Sequence, residues 1–140
     1  MENDLSQGIK RNREEITRWA DRLYSEHVDH KDADGFAAVF TQDGTLRFGN
    51  SDTLVGRDAI RAAIAQFFSA FVSLRHHSGR TWLDGDTLVL EAVVTYVRHD
   101  GQQVTVPATT IFHLASDAQS AEPIVDECRI YVDLTPLFAP

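Results

Sequence analysis

The chain has 140 residues, of which 43% are hydrophobic and 24% are charged, a composition typical of a globular protein with one hydrophobic core. Its 21 acidic residues outnumber its 13 basic residues, and the net charge of −8 argues against a nucleic-acid partner, since a phosphate backbone would be repelled. The single cysteine, Cys128, excludes an internal disulfide and is typical of a reducing compartment.

No stretch of the chain is apolar over the ~18 residues that a membrane span requires, and the polar N-terminal segment lacks the apolar core of a signal peptide. We therefore expect a cytoplasmic protein without a membrane partner. We also expect a single domain that spans residues 1–140.

Two helices are predicted at the N-terminal end of the chain. Between residues 16 and 27, hydrophobic side chains recur every three or four positions, which predicts an amphipathic helix with one buried face. Asp32 is the predicted cap of a short second helix, which buries Phe36 and Phe40 and ends in a turn at Asp43 and Gly44.

Alternating side chains predict a half-buried strand over residues 45–49, and helical spacing returns between residues 57 and 71, which predicts a third helix. Four segments rich in β-branched and aromatic residues follow, and Asp-Gly dipeptides typical of hairpin turns separate the first three. The predicted strands cover residues 73–84, 87–99, 102–114 and 124–134, and a polar linker over residues 115–122 precedes the last of them.

This order of elements predicts an α+β fold, in which three N-terminal helices cover one face of a curved antiparallel sheet. A strongly bent sheet that is closed by helices leaves a cone-shaped apolar cavity. Such a cavity is a default binding site for a small molecule.

His76 and His77 are adjacent on a predicted strand, so only one of them can face the cavity. Their opposite directions also argue against a shared metal ion, and the chain has no motif typical of a metal site. The inward histidine is either a general acid or base, or a buried histidine that is bonded to a backbone carbonyl.

Three further polar residues are candidates. Tyr24 lies at the edge of the helical stripe, where its hydroxyl either donates into a pocket or ends in water. Asp29 lies roughly 140° from Tyr24 around an ideal helix, so the two share a pocket only if the helix ends near Val28. Glu91 interrupts an apolar strand and is either a buried base or a surface residue.

In the last predicted strand, Arg129, Tyr131 and Asp133 share one face, which either binds a polar group of a substrate or forms a dimer contact. The chain has no glycine-rich phosphate loop and no nucleotide fingerprint. We therefore expect no organic cofactor and no metal.

The chain contains the segment DADGFAAVFTQDGTLRF at residues 32–48 and the segment GRDAI at residues 56–60. Together with the order of the predicted elements, these segments resemble the nuclear transport factor 2-like superfamily, in particular its SnoaL-like branch. That superfamily includes ketosteroid isomerases, limonene epoxide hydrolases, polyketide cyclases and several dehydratases, as well as members without known catalysis. The resemblance covers nearly the whole chain and implies the cone-shaped fold.

The pattern of the bile-acid dehydratases is the most similar one. Tyr24 and Asp29 match its Tyr-x4-Asp pair, and His76 or His77 matches its strand histidine. The sequence Arg-Ile-Tyr at residues 129–131 matches as well.

Two better-known enzyme classes of the superfamily use acidic residues that this chain does not have at the matching positions. The base aspartate of ketosteroid isomerases falls on Phe48, and the second acid of their oxyanion hole falls on Thr110. The Asp-Arg-Asp triad of limonene epoxide hydrolases falls on Val93, Glu91 and Ile130.

The resemblance implies a cofactor-independent isomerase or lyase of secondary metabolism, meaning a cyclase or dehydratase that acts by acid/base chemistry. The implied substrate is a hydrophobic small molecule similar to a polyketide, terpenoid or steroid, and the implied assembly is a homodimer through the outer face of the sheet. The expected catalytic residues are Tyr24, Asp29, His77 and His76. The expected substrate-binding residues are Trp19, Phe48, Phe68, Glu91, Thr110 and Arg129.

Two other interpretations remain open. The same fold can serve as a non-catalytic module for small-molecule binding or dimerisation. A third interpretation is a hydrolase in which Glu91 acts as the base.

Overall fold

The computed structural model describes residues 11–116 and 122–140. Within them, the helices are α1 (Arg13–Glu26), α2 (Ala33–Ala37), α3 (Arg57–Phe68) and α4 (Thr135–Phe138), and a 3-10 turn occupies Val28–His30. The strands are β1 (Phe40–Phe48), β2 (Leu54–Val55), β3 (Ser73–Asp84), β4 (Thr87–Val97), β5 (Gln103–Leu114) and β6 (Val125–Val132). The linker predicted over residues 115–122 lies mostly outside the described residues.

The strands form one curved sheet in the order β2-β1-β6-β5-β4-β3. β3, β4, β5 and β6 form the predicted antiparallel meander, and each of them begins and ends within two residues of its predicted bounds. β1 joins the sheet in parallel with β6, and β2 adds a short antiparallel edge beyond it. The predicted α+β architecture is therefore confirmed.

The second helix and the first strand depart from their predicted bounds. α2 has only five residues, and β1 already begins at Phe40, so Asp43 and Gly44 lie inside a strand and not in a turn that ends a helix. Phe40 pairs with Val125 of β6, and the register shifts before Thr45, which accommodates the polar segment as a bulge. Long-range pairing thus overrides the local turn preference.

A short C-terminal helix, α4, was not predicted. Pro136 stands in its first turn, where the missing backbone N–H of proline costs no hydrogen bond. Leu137 is 3% exposed and attaches the helix to the core. α4 is too short to show a periodic pattern in the sequence, and it depends on its contact with the core.

The helices bury their apolar faces against the concave face of the sheet. Asn12 caps the N-terminus of α1, and its side chain accepts a hydrogen bond from the backbone N–H of Glu15. The ring of Trp19 packs edge-on against Phe112 of β5, with 5.5 Å between the ring centroids. α3 buries Ile60 and two further apolar side chains against the same core. None of the described helices is long and apolar enough to cross a membrane.

Candidate active site

A cavity of about 50 Å³ lies between the helices and the concave face of the sheet. Most of the side chains that line it carry only carbon atoms. The polar groups at its wall belong to Tyr24, His76, Tyr96 and Thr110. These groups come from α1, β3, β4 and β5, so the site exists only in the folded chain.

His76 and Asp29 form a hydrogen-bonded pair beside the cavity. Nδ1 of His76 lies 2.7 Å from Oδ1 of Asp29, and the backbone N–H of His76 donates to Oδ2 of the same carboxylate at 3.1 Å. The His76 and Asp29 side chains are only 13% and 16% exposed, so water competes weakly for these bonds. The carboxylate therefore fixes both the backbone and the ring orientation of His76.

This pairing decides which imidazole nitrogen carries the lone pair. A carboxylate accepts hydrogen bonds, so it favours the tautomer of His76 in which Nδ1 is protonated and Nε2 is not. Nε2 has no partner among the described residues, and none of their buried side-chain nitrogen or oxygen atoms lacks a partner, so Nε2 remains accessible. Because His76 lines the cavity, the accessible nitrogen can accept a proton from a bound molecule.

The 3-10 turn at Val28–His30 brings Asp29 into the site. α1 ends at Glu26, so the 140° separation of an ideal helix does not apply to Asp29. Lys31 then takes a left-handed conformation, with φ of 58°, and its ammonium group donates to the backbone oxygen of Phe71 at 2.9 Å. This contact attaches the turn to the segment that leads into β3, the strand that carries His76.

Tyr24 packs directly on the imidazole of His76. Their ring centroids are 4.3 Å apart and the rings are tilted by 32°. The Tyr24 hydroxyl donates to Oγ1 of Thr110 at 3.3 Å. Burial, more than any nearby charge, raises the pKa of Tyr24, so its hydroxyl stays protonated and remains a hydrogen-bond donor.

Tyr96 is a second phenol at the cavity, and it is not among the residues that the sequence predicts for the site. It is 3% exposed, its hydroxyl has no partner among the described residues, and burial together with the charge of Asp29 raises its pKa. The strand pattern held a usable signal, since Tyr96 shares the inward face of β4 with the buried Val94.

The predicted residues divide into two groups. Phe48, Phe68 and Thr110, which the sequence predicts as substrate-binding residues, line the cavity, and so do Tyr24 and His76. Asp29 lies behind His76 and contacts it directly.

His77 and Glu91 lie outside the cavity, contrary to expectation. His77 pairs with Val93, which is 43% exposed, so both side chains lie on the outer face of the sheet. Glu91 is exposed on the same face, between the buried Leu90 and Ala92. The alternation of the strand excludes both from the cavity once Leu90 and His76 face inward.

Trp19 and Arg129, which were expected to bind the substrate, do not line the cavity either. Trp19 is buried in the core against Phe112 and does not reach the cavity. Arg129 lies on the outer face, where its guanidinium pairs with Glu127 at 2.8 Å, because the neighbouring Ile130 takes the inward position. Only the inward face of β6 contributes to the cavity wall.

No group of three or more histidine, cysteine, aspartate or glutamate side chains in the described part of the chain is arranged to hold a metal ion. Cys128 is fully buried, and burial raises the pKa of its thiol. The thiol is therefore protonated and unreactive in the folded protein. The groups available for chemistry are the imidazole of His76 and the two phenols.

A curved sheet with helices on its concave face, enclosing an apolar cavity with a few polar groups, is the architecture of the nuclear transport factor 2-like proteins. The family description of the SnoaL-like domain matches residues 20–122. The chain belongs to the SnoaL-like domain family.

Solved structures share this fold at low sequence identity. A candidate SnoaL-like polyketide cyclase from Jannaschia sp. CCS1 is 24% identical, with a TM-score of 0.71 over 95% of this chain and 99% of the other. ActVI-ORFA from Streptomyces coelicolor is 23% identical, with a TM-score of 0.72 over 86% and 96%.

SalBIII, an epoxide hydrolase/cyclase-like enzyme with a role in pyran ring formation in the polyether salinomycin, is 17% identical, with a TM-score of 0.71 over 89% and 95%. A comparison with curated proteins gave no significant match. At these identities the structural likeness establishes the fold.

Proposed function

We propose that the protein is a cofactor-independent acid/base catalyst, in which His76 is the general base and Tyr24 is the hydrogen-bond donor. The observation that carries this proposal is the bond between Asp29 and Nδ1 of His76, which leaves Nε2 accessible at an apolar cavity. A buried histidine that only fills space needs no carboxylate held at both its ring and its backbone. Such an arrangement is typical of an imidazole that exchanges protons.

The proposed step needs no external reagent. Nε2 of His76 removes a proton from a carbon next to a carbonyl group. The electron pair of the broken C–H bond forms a C=C bond, and the π pair of the carbonyl group moves onto its oxygen. The hydroxyl of Tyr24 turns from Thr110 and donates to that oxygen as its charge develops, and Asp29 stabilises the resulting imidazolium. The imidazolium then returns the proton to another carbon or to a departing hydroxyl group.

The two fates of that proton correspond to isomerisation and to dehydration. In a cyclisation, the enolate carbon attacks a second carbonyl carbon of the same molecule, the π bond of that carbonyl group breaks, and its oxygen takes the proton from the imidazolium. The carbon-lined wall and the family membership favour a hydrophobic substrate similar to a polyketide, terpenoid or steroid. All three reactions use the same base and the same donor.

A binding module without catalysis is the alternative function. A cavity lined by carbon alone, with both His76 and His77 outside it, would favour that alternative. His76 at the cavity wall, together with its bond to Asp29, favours catalysis instead. The exposed position of Glu91 removes the basis for the hydrolase interpretation.

We also propose a homodimer through the outer face of the sheet. Trp82, Val93 and Tyr131 lie on that face and are 47%, 43% and 50% exposed. Large apolar side chains that share one face are typical of a contact between protein chains. Light scattering in solution measures the mass, and a monomer at micromolar concentration would contradict this proposal.

The base can be tested with 5-nitrobenzisoxazole, a probe that needs no knowledge of the natural substrate. A base removes the single C–H proton of its isoxazole ring, the N–O bond breaks, and the ring opens to a nitrile and a coloured nitrophenolate within the same molecule. We expect His76→Gln to lower kcat/KM by about 10²-fold or more, since a positioned general base typically contributes that factor. Tyr24→Phe should lower kcat/KM as well, because it removes the donor to the developing phenolate.

His77→Gln is the matched control, because it removes the adjacent imidazole on the opposite face of the same strand. Its kcat/KM should equal that of the wild type. Equal rates for the wild type, His76→Gln and Tyr24→Phe would rule out the proposed mechanism.

A further inference from the structure

A second hollow adjoins the cavity. This outer chamber measures about 900 Å³ and lies between the end of β1, α3 and the segment around α4. The two hollows share part of their walls, namely the side chains of Phe48, Ile64, Phe67 and Val132. The outer chamber therefore lies directly next to the inner cavity.

The inner cavity by itself is too small for the proposed class of substrate. A single water needs roughly 10–15 Å³ of such space, so about 50 Å³ holds only a few water-sized groups. Sites for drug-sized molecules typically measure roughly 300–1,000 Å³. The outer chamber lies in that range, and the inner cavity has room only for one end of such a molecule.

Two aromatic rings separate the hollows. Phe48 at the end of β1 and Phe67 in the last turn of α3 both border each hollow, and their ring centroids are 4.9 Å apart. Both side chains are only partly buried. The Phe67 ring contacts four other rings, those of Phe48, Phe68, Phe71 and Tyr96, but it is only partly buried, whereas Phe71 is fully buried. A rotamer change of Phe67 therefore disrupts less packing than one of Phe71, and it needs no movement of α3.

The charges of the outer chamber restrict what it can hold. Asp52 and Asp133 border it, and no basic side chain belongs to the part of its wall that the structure describes. The hydroxyl and backbone N–H of Thr135 lower the pKa of Asp133, so its carboxylate is charged at neutral pH. An anionic group in this chamber would face two negative charges without a compensating cation.

We propose that the inner cavity and the outer chamber are two subsites of one ligand site, with Phe67 as the movable partition between them. The inner subsite takes the oxygen-bearing end of the ligand, and the outer subsite takes its larger, uncharged remainder. This inference rests on the proposed function, because His76 and Tyr24 in the inner subsite select the oxygen-bearing end. The substrate is thus an elongated, uncharged molecule that is polar at one end.

The partition is tested by the rate of binding of 2-naphthol, a fluorescent and uncharged probe with one hydroxyl group. In stopped-flow measurements, Phe67→Ala should raise the association rate constant by about tenfold, the change expected when about 1.4 kcal/mol of a barrier is removed. Phe67→Trp should lower it. Val55→Ala changes an exposed side chain that borders neither hollow, so it is the control and should leave the rate unchanged.

The charge preference is tested with 6-hydroxy-2-naphthoate, which has the same ring system and an added carboxylate. It should bind to the wild type at least about threefold more weakly than 2-naphthol, the effect of one carboxylate roughly 6 Å away in water. The double variant Asp52→Asn with Asp133→Asn should reduce that difference.

Equal association rates for the wild type, Phe67→Ala and Phe67→Trp would overturn the proposal, and so would the lack of saturable 2-naphthol binding to any of these proteins. Phe67→Leu replaces Phe67→Ala if the alanine variant melts at a much lower temperature. These measurements follow binding alone. A failure of the naphthol experiments therefore differs from a failure of the benzisoxazole assay, which measures proton transfer.

Discussion

Replacing Asp29 with asparagine is the sharpest perturbation of the proposed site. The carboxylate accepts two hydrogen bonds from His76, one from the ring nitrogen Nδ1 and one from the backbone N–H. Asparagine has nearly the same shape but offers one acceptor oxygen and one NH₂ donor. It can therefore satisfy the backbone N–H only if its NH₂ group faces Nδ1.

That arrangement reverses the tautomer of His76. An NH₂ group that donates to Nδ1 requires an unprotonated Nδ1, so the proton moves to Nε2 and the lone pair leaves the cavity side. The general base is then lost although both side chains remain in place. We expect Asp29→Asn to lower kcat/KM for 5-nitrobenzisoxazole by about 10²-fold, close to the full contribution of a general base.

Asp29→Asn should affect the stability of the protein much less than its activity, and the two effects can be measured separately. The substituted asparagine can keep both contacts as neutral hydrogen bonds, so the expected loss is about 1 kcal/mol, the difference between a charge-assisted and a neutral bond. Asp29→Ala leaves the backbone N–H and Nδ1 of His76 without a partner in a mostly buried position. It should therefore lower the free energy of unfolding by about 3 kcal/mol. Urea denaturation measures both values.

The tautomer is observed directly by ¹⁵N NMR of the histidine rings, since protonated and unprotonated ring nitrogens have well-separated shifts. The His77→Gln protein simplifies the assignment, because the adjacent imidazole is then absent. An Asp29→Asn protein with wild-type kcat/KM and wild-type ring shifts would refute the proposal that this carboxylate sets the tautomer of His76.

Three further outcomes are expected. Gly35→Ala should destabilise the protein by about 1 kcal/mol in urea denaturation, because its Cβ would displace the imidazole of His27 and the Asp32 carboxylate that caps α2. An unchanged midpoint would contradict this expectation. Cys128 should react with a thiol reagent only after denaturation, since burial raises the pKa of its thiol; rapid labelling of the native protein would disprove its burial. Tyr96→Phe should weaken 2-naphthol binding without lowering the melting temperature. The reason is that the Tyr96 hydroxyl borders the cavity and has no partner among the described residues. Unchanged affinity would exclude that hydroxyl from the ligand site.

The regular elements could be predicted because their signals are local. α1 follows from a stripe of apolar residues at helical spacing, and the meander follows from alternating strands separated by Asp-Gly turns. Gly85 and Gly101 have positive φ angles of 60° and 87°, as turns of this kind require. In each case neighbouring residues along the chain supply most of the information.

The parts of the secondary structure that the sequence did not predict depend on contacts with residues far away in the chain. Local preferences around Asp43 and Gly44 favour a turn, but pairing of β1 with β6 draws this segment into the sheet. α4 is too short to form alone, and the burial of Leu137 holds it in place. Contacts between residues far apart in the chain therefore decide both features.

The sequence by itself determined that Tyr24 lies on a buried helix face and that only one of two adjacent histidines faces inward. Tertiary structure alone decided that this histidine is His76, because pairing with the buried Val94 sets the register of β3. It also decided that Asp29 reaches the imidazole, since a 3-10 turn held by Lys31 replaces the last turn of a helix. Alternation along a strand shows that neighbouring side chains face opposite sides, but it does not show which side is the inner one. Helical periodicity likewise does not show where the chain leaves the helix. Packing between distant elements decides both.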